Sequence, residues 1–559
     1  MATESSSVAD SLNSSGAVIA LTSRAWTRLE ALLVRAGDWL NPILVKETRQ
    51  ALKSRQFVVT FVLVLAACWI VTIIGVAAMW PAIRYSAAGG ALLFWYYVIL
   101  AFPLTIVVPY AAFRSLAAER EDNTYELLSI TTLKPRQIIS GKLGSSIAQM
   151  AIFFSAVTPC LAFTYLLRGV DLPTIAILLV YSFFGSLGLS MVGLLLATLS
   201  RQRYGQIFIS VVFVAGLLGA FILGLYAAAA LISLGYAYFD GGLGAFWIVT
   251  WALFTAFVTI FALLYYAAAG MITFTSENRS TPLRITMLIQ QACWIGWMGY
   301  GWVSNINDSN SFVVAMVIFA GVYWYFMGIL LTSERPKMSQ RIKRQLPKSF
   351  LGRVFLTWFN PGPASGYLFV VANASAIAVM ALLALGAAAL TGRMPAGRPS
   401  DEQIVYLTFV GWGYLVVYLG VGLLLISALR RVATVSMMAG VLVQLLLLIG
   451  GSGIPWTLQM MSSDLRELDY SFLQITNPFW TITHLAARGL PLDARMLLLI
   501  VSAAAICVLL LNLPGVIREL REVRIALPAR VAEDELALHP LPAPEPTNPW
   551  DEERLRVES

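Results

Sequence analysis

Long stretches without an ionisable side chain alternate with short charged ones along this chain. Residues 56–83, 85–113, 172–200, 204–239, 241–276, 403–429 and 432–463 contain no Asp, Glu, Lys or Arg. About 20 consecutive apolar residues suffice to cross the hydrocarbon core of a bilayer. Only helices and closed barrels satisfy their backbone groups there, and stretches this long read as helices. The pattern therefore predicts an all-α polytopic helical membrane protein of about 12 transmembrane helices. They lie at roughly 57–79, 91–113, 143–167, 173–199, 206–232, 246–274, 286–303, 311–332, 367–390, 404–428, 433–458 and 496–513. The seventh carries Gln290 and Gln291 and is the least apolar of them.

Composition agrees: 58% of the 559 residues are hydrophobic and only 12% charged, against about 25% charged in a soluble domain. The net charge of +8 would point to nucleic acid in a soluble chain. Among membrane spans, the distribution of Lys and Arg over the loops decides its meaning, and no nucleic-acid partner is expected. With the N-terminus inside, 31 of the 38 basic residues fall in inside segments and 7 in outside loops. The positive-inside rule then places both termini in the cytoplasm of a multi-pass cytoplasmic (plasma) membrane protein. Cys68, Cys160, Cys293 and Cys507 lie within the apolar runs and read as small apolar residues.

Two stretches have the pattern of helices lying on the membrane surface. Trp26, Leu29, Leu33, Ala36 and Leu40 recur at spacings of three and four. From about Arg341 to Trp358, the residues Ile342, Leu346, Phe350, Val354 and Trp358 stand four apart, with Lys343, Arg344, Lys348 and Arg353 between them. Each stretch ends in a similar phrase, Trp39-Leu40-Asn41-Pro42 and Trp358-Phe359-Asn360-Pro361. The resemblance is explained either by chance or by a degenerate internal duplication. Beyond the last span, the Pro-rich acidic stretch from Pro528 to Ser559 is expected to be a disordered cytoplasmic tail. The expected organisation is a cytoplasmic N-terminus over 1–56, a six-span core over 57–275 and two further spans over 276–333. A basic interfacial segment over 334–366, four further spans over 367–517 and the tail over 518–559 complete it.

No Asp, Glu, Lys, Arg or His falls within an expected span, which removes the mid-membrane ionisable groups usual in ion-coupled carriers. The long outside loop at about 459–495 holds Asp464, Arg466, Glu467, Asp469, His484, Arg488 and Asp493 without metal-ligand or nucleophile–base spacing, as a solvated loop would. Trp294, Trp297, Tyr300 and Trp302 fit an interfacial aromatic belt better than a substrate cage. The phosphate-binding pattern GxxxxGK[ST] is missing, since Gly141-Lys142 is followed by Leu143. No cytoplasmic segment is long enough for a nucleotide-binding domain. The chain is accordingly not expected to be an enzyme, and any ATP hydrolysis would come from another chain.

The segment Arg114–Lys142, between the second and third spans, is the most patterned cytoplasmic connection. It contains Glu119-Arg120-Glu121, then Asn123 and Thr124 as candidate caps for a short helix carrying Glu126, Leu127 and Leu128, then Pro135 at the start of a basic helix. A short charged helix with an apolar ridge, held near the membrane, suits a docking knob for a peripheral partner.

Here the chain resembles a known family. Asn41-Pro42 with Lys46, Glu47 and Arg49, leading through Arg55 into the first span, is similar to the elbow helix of ATP-binding-cassette (ABC) permeases of the type 2 exporter class. Glu119-Arg-Glu, Thr124-x-Glu126-Leu127-Leu128, Pro135-Arg-Gln-Ile and Gly141-Lys142-Leu are similar to that family's connection between the second and third spans. The resemblance covers about residues 38–275. It implies a permease subunit of an ABC exporter, with Glu119, Arg120, Glu121, Thr124, Glu126, Leu127 and Leu128 forming a coupling helix seated in a separate ATPase subunit. Cofactors would be absent from this chain, with ATP and Mg on the ATPase. Residues 276–559 carry no comparable signature: the connection between the tenth and eleventh spans, with Arg430 and Arg431, is very short. One coupling segment per chain implies a homodimer or a pairing with a related permease, and the basic segment Arg341–Arg353 would meet anionic membrane lipids. The alternatives are a secondary carrier or channel and, further off, an intramembrane enzyme.

Overall fold

A computed structural model describes residues 41–539 apart from 82–86, 88, 122–133, 201, 235–241, 275, 305–308, 335–337, 348, 392–399, 463–469, 489–493 and 526–527. Among these residues every regular element is a helix and there is no strand. Eleven of the helices are long and apolar enough to cross a membrane. The chain is an all-α, multi-pass membrane protein.

Two compact units divide it, an N-terminal one (Met1–Thr273 with Thr286–Cys293) and a C-terminal one (Phe274–Ile285 with Trp294–Ser559). The N-terminal unit contains α1 (Pro42–Leu52), α2 (Arg55–Met79), α3 (Gly89–Glu121), α4 (Pro135–Leu166), α5 (Leu172–Ala197), α6 (Arg203–Leu234) and α7 (Gly242–Ile272). Its centre is α3, which packs against α2, α4, α5 and α6. Leu93, Tyr96, Leu100 and Leu104 of α3 form one core with Val64 and Cys68 of α2 and Met150, Phe153 and Val157 of α4. Farther along α3, Phe113 and Leu116 form a second core with Met191, Leu194, Phe213 and Ala268. Between the two, Pro103–Val107 widens into a π-turn, the usual result where a proline withholds its N–H from the helix ladder. The Ser186 hydroxyl of α5 donates to the Leu104 carbonyl there.

At 33 residues, α3 is about 50 Å long, well beyond the roughly 30 Å of a hydrocarbon core. Its last turns, from Arg114 to Glu121, therefore run on past the apolar stretch.

The C-terminal unit is built from α9 (Ser309–Thr332), α12 (Pro363–Leu390), α13 (Asp401–Val432), α14 (Met437–Met461) and α16 (Ala494–Leu520), with the shorter α10 (Gln340–Gln345), α11 (Phe350–Leu356), α15 (Pro478–Arg488) and α17 (Ala529–Leu538). Its central helix is α13, which packs on α9, α12, α14, α15 and α16.

Four expectations are corrected. The seventh stretch does form a helix, α8 (Ser280–Ser304), but not one of the eleven apolar enough to span, because Arg284, Thr286, Gln290 and Gln291 dilute it. The surface helix expected over Arg341–Trp358 is two short helices and a 3-10 turn, interrupted at Pro347. Its Ile342 and Leu346 are buried in the protein, not presented to a membrane surface. In the stretch at 459–495, expected as a solvated loop, the described residues include buried ones: Gln474, Asn477, Thr481 and Leu485 are buried, and Gln474 donates to Gln459 at 2.7 Å. The tail begins as a helix, α17, since ten proline-free residues rich in Ala, Leu and Glu follow Pro528. Residues 540–559 lie outside the described residues, as do Trp26 to Leu40.

Candidate functional site

The expected elbow is α1. The Asn41 carboxamide oxygen accepts the Ile43 N–H at 3.1 Å, and Pro42 occupies the first helical position, where a missing N–H costs nothing. The other end of the same carboxamide donates to the Gln137 carbonyl and to the Ser140 hydroxyl of α4. One side chain thus caps α1 and fastens it to α4.

The start of α4 is fixed as well. Pro135 stands at its first position, and the Gln137 side chain reaches back to accept the Lys134 N–H at 2.9 Å. The phenol of Tyr265 on α7 donates to the Arg136 carbonyl at 3.0 Å, while the Arg136 guanidinium lies 4.9 Å from the Tyr266 ring centre. Gly141 and Gly144 allow α1 to lie directly on α4. A Cβ at Gly141 would stand 2.8 Å from the Ile43 Cβ, and one at Gly144 would stand 2.5 Å from Leu44 Cδ1.

Those contacts enclose Lys142. Its ammonium is 3.1 Å from Glu47 Oε1 on α1 and 3.0 Å from Glu119 Oε1 at the end of α3. It also donates to the Ser115 carbonyl at 3.3 Å. Three segments far apart in sequence thereby meet at one cation whose side chain is 1% exposed. A buried ion survives only with this kind of multiple pairing, and deleting one partner strands the others. Next to it, Arg120 donates to the Thr198 carbonyl at the end of α5, at 2.6 Å.

Of the residues expected in a coupling helix, Glu119, Arg120 and Glu121 instead form the last turn of α3. No breaker separates them from Arg114, and Ala117-Ala118 favours helix. Thr124, Glu126, Leu127 and Leu128 lie outside the described residues. Among the elbow residues, Asn41 and Glu47 enter the cluster, whereas Lys46 and Arg49 are exposed. Both stems of the 122–133 segment are therefore pinned, one through Glu119 and Arg120 and the other through Lys134 to Lys142.

A second buried cation was not foreseen. In the C-terminal unit, Arg284 spends its guanidinium on Glu334 Oε2 (3.0 Å), the carbonyls of Trp358 (2.6 Å) and Gly362 (3.1 Å), and the hydroxyls of Ser280 (3.0 Å) and Ser365 (3.2 Å). Glu519 accepts the N–H groups of Ala364 and Ser365 at 3.0 and 2.7 Å, placing a carboxylate at the N-terminus of α12. Arg430 donates to the carbonyls of Ser333 and Glu334.

The repeated phrase is used differently in its two places. Asn41 is the cap of α1, but Asn360 lies two residues before Gly362, the cap of α12, and its amide nitrogen has no hydrogen-bond partner.

No group of three His, Cys, Asp or Glu among the described residues could hold a metal ion. Both clusters offer ion pairs and helix-end anchoring, and in the second the Ser280 hydroxyl donates to Glu334 Oε1 at 2.6 Å. No protein-family model, curated protein or solved structure matches this chain.

Proposed function

We propose that this chain is the membrane-embedded permease subunit of an ABC exporter in the cytoplasmic membrane, driven by ATP hydrolysed on a separate subunit. The observation that carries the reading is the Lys142 junction. A partner pushing on the 122–133 segment would act on stems tied through Lys142 to the elbow and through Arg120 to α5, so force applied there would reach α1, α3, α4 and α5 together. The motif order from Asn41 to Lys142 supports the same family, and the 31-to-7 split of basic residues supports a cytoplasmic location for that segment and for both termini.

In this reading Leu127 and Leu128 dock into the ATPase. ATP-binding-cassette ATPases close their sites between two subunits, so two coupling contacts are needed. Two copies of this chain, or one with a related permease, would then join two ATPase subunits. Native mass measurement of the complex extracted from its own membrane tests this. Two permease chains with two ATPase chains are expected. A chain purified without any ATPase, yet catalysing ion-dependent transport alone, would overturn the proposal.

A further inference from the structure

Within the C-terminal unit, α9, α12, α13 and α15 wall a cavity of about 430 Å³. That volume is in the range of sites for whole small molecules, roughly 300–1,000 Å³. Its lining is almost wholly apolar, and six residues on the wall carry side-chain hydrogen-bond donors. Each already donates within the protein. Thr408 bonds the Ile404 carbonyl and Thr483 the Phe479 carbonyl. Trp412 bonds the Ser375 hydroxyl, and Tyr325 the Gln444 carbonyl. Tyr414 and Tyr418 bond the carbonyls of Ile475 and Thr476. A polar ligand would find no free donor, and water would lack the two to four partners that hold it in a cavity.

The rim identifies the occupant. Ile318, Val322 and Phe326 stand four apart on α9, and with Phe479 of α15 they are exposed. Because α9, α12 and α13 are each long and apolar enough to cross a membrane, an exposed apolar face on them would lie against lipid chains. We propose that the cavity takes a single acyl chain of a membrane lipid, with the headgroup remaining outside its wall. Recognition is by shape and apolar contact alone, independently of any ATPase.

Two wall glycines make the proposal testable, since a Cβ at Gly321 or Gly411 would meet nothing within 4 Å. A larger side chain at either position would start in open space and occupy part of the cavity. The full chain would be placed in phosphatidylcholine nanodiscs carrying a photoreactive diazirine either on the acyl chain or on the headgroup. Crosslinked peptides would then be mapped by mass spectrometry. The acyl probe is expected to label residues 407–418 and 478–486 more heavily than the lipid-facing Ile73 and Ile74 of α2, and the headgroup probe to spare them. Gly411→Phe should cut that labelling by about tenfold, the effect of an overpacked site, while Gly216→Phe on α6 should leave it unchanged. Thermal unfolding confirms that each variant is folded, and Gly321→Leu replaces Gly411→Phe if the latter is not. Wall labelling no heavier than at Ile73 and Ile74, equal labelling by the headgroup probe, or full labelling of the folded filled variant would each overturn the proposal.

Discussion

The N-terminal and C-terminal units each bury a cation at a helix end, but they use different chemistry. Lys142 is a compact point charge holding two carboxylates, Glu47 and Glu119, that come from different helices. Arg284 spreads its planar fork over one carboxylate, two carbonyls and two hydroxyls around the start of α12. An ammonium can exchange partners as its neighbours move, whereas a guanidinium fixes the geometry it satisfies. The first arrangement suits a junction that passes on movement, and the second suits a staple. The ion pairs around Lys142 also adjoin both stems of the 122–133 segment, whereas Arg284 ties together Glu334, Trp358 and Gly362.

The comparison can be broken by substitution. Arg284→Met should have the largest effect, destabilising by roughly 4–5 kcal/mol, because it strands Glu334 and several backbone carbonyls. Thermal unfolding in detergent should show this as a large fall in Tm, and Arg284→Lys should recover little of it, since an ammonium cannot reproduce the fork. Lys142→Met should cost somewhat less, about 3 kcal/mol, because it strands Glu47, Glu119 and the single carbonyl of Ser115, fewer acceptors than Arg284 serves. Gly141→Val should cost about 1–3 kcal/mol by forcing α1 off α4. Trypsin accessibility at Lys46 and Arg49 should then rise, and an unchanged digestion rate would contradict the seating of the elbow.

The smallest effects separate the two copies of the repeated phrase. Asn41→Ala removes a helix cap and a clamp and should cost about 1 kcal/mol. Asn360→Ala removes an amide whose nitrogen bonds nothing and should stay within about 0.5 kcal/mol of the parent. Equal costs at both positions would revive the idea of a structural duplication.

Helix positions were legible because apolar runs bounded by Lys and Arg are a local signal, and eleven of the twelve expected spans coincide with long apolar helices. The eighth helix illustrates the limit of that signal. Gln290 and Gln291 marked it as the least apolar stretch, but nothing local showed that Arg284 would be buried among Glu334, Trp358, Gly362 and Ser365. Motif order singled out residues 41–49 and 114–142, yet the pairing of Glu47 with Lys142 joins residues 95 apart in the chain. Its available clue was Gly141, whose missing side chain admits Ile43. The loop at 459–495 misled because its charges advertise solvent, while the buried Gln474 and Asn477 read as ordinary polar loop residues until their partners Gln459 and Ser452 are seen.

In the proposed transporter, energy coupling passes through the segment between Glu119 and Lys142. Its most direct test is substrate-stimulated ATP turnover in the reconstituted complex of this chain with its co-purifying ATPase, comparing the parent with Leu127→Asp/Leu128→Asp. Charging an apolar docking ridge forces carboxylates to be desolvated on binding, so the double variant should insert normally and lose stimulation or release the ATPase. Normal stimulated turnover by the double variant would contradict the claim.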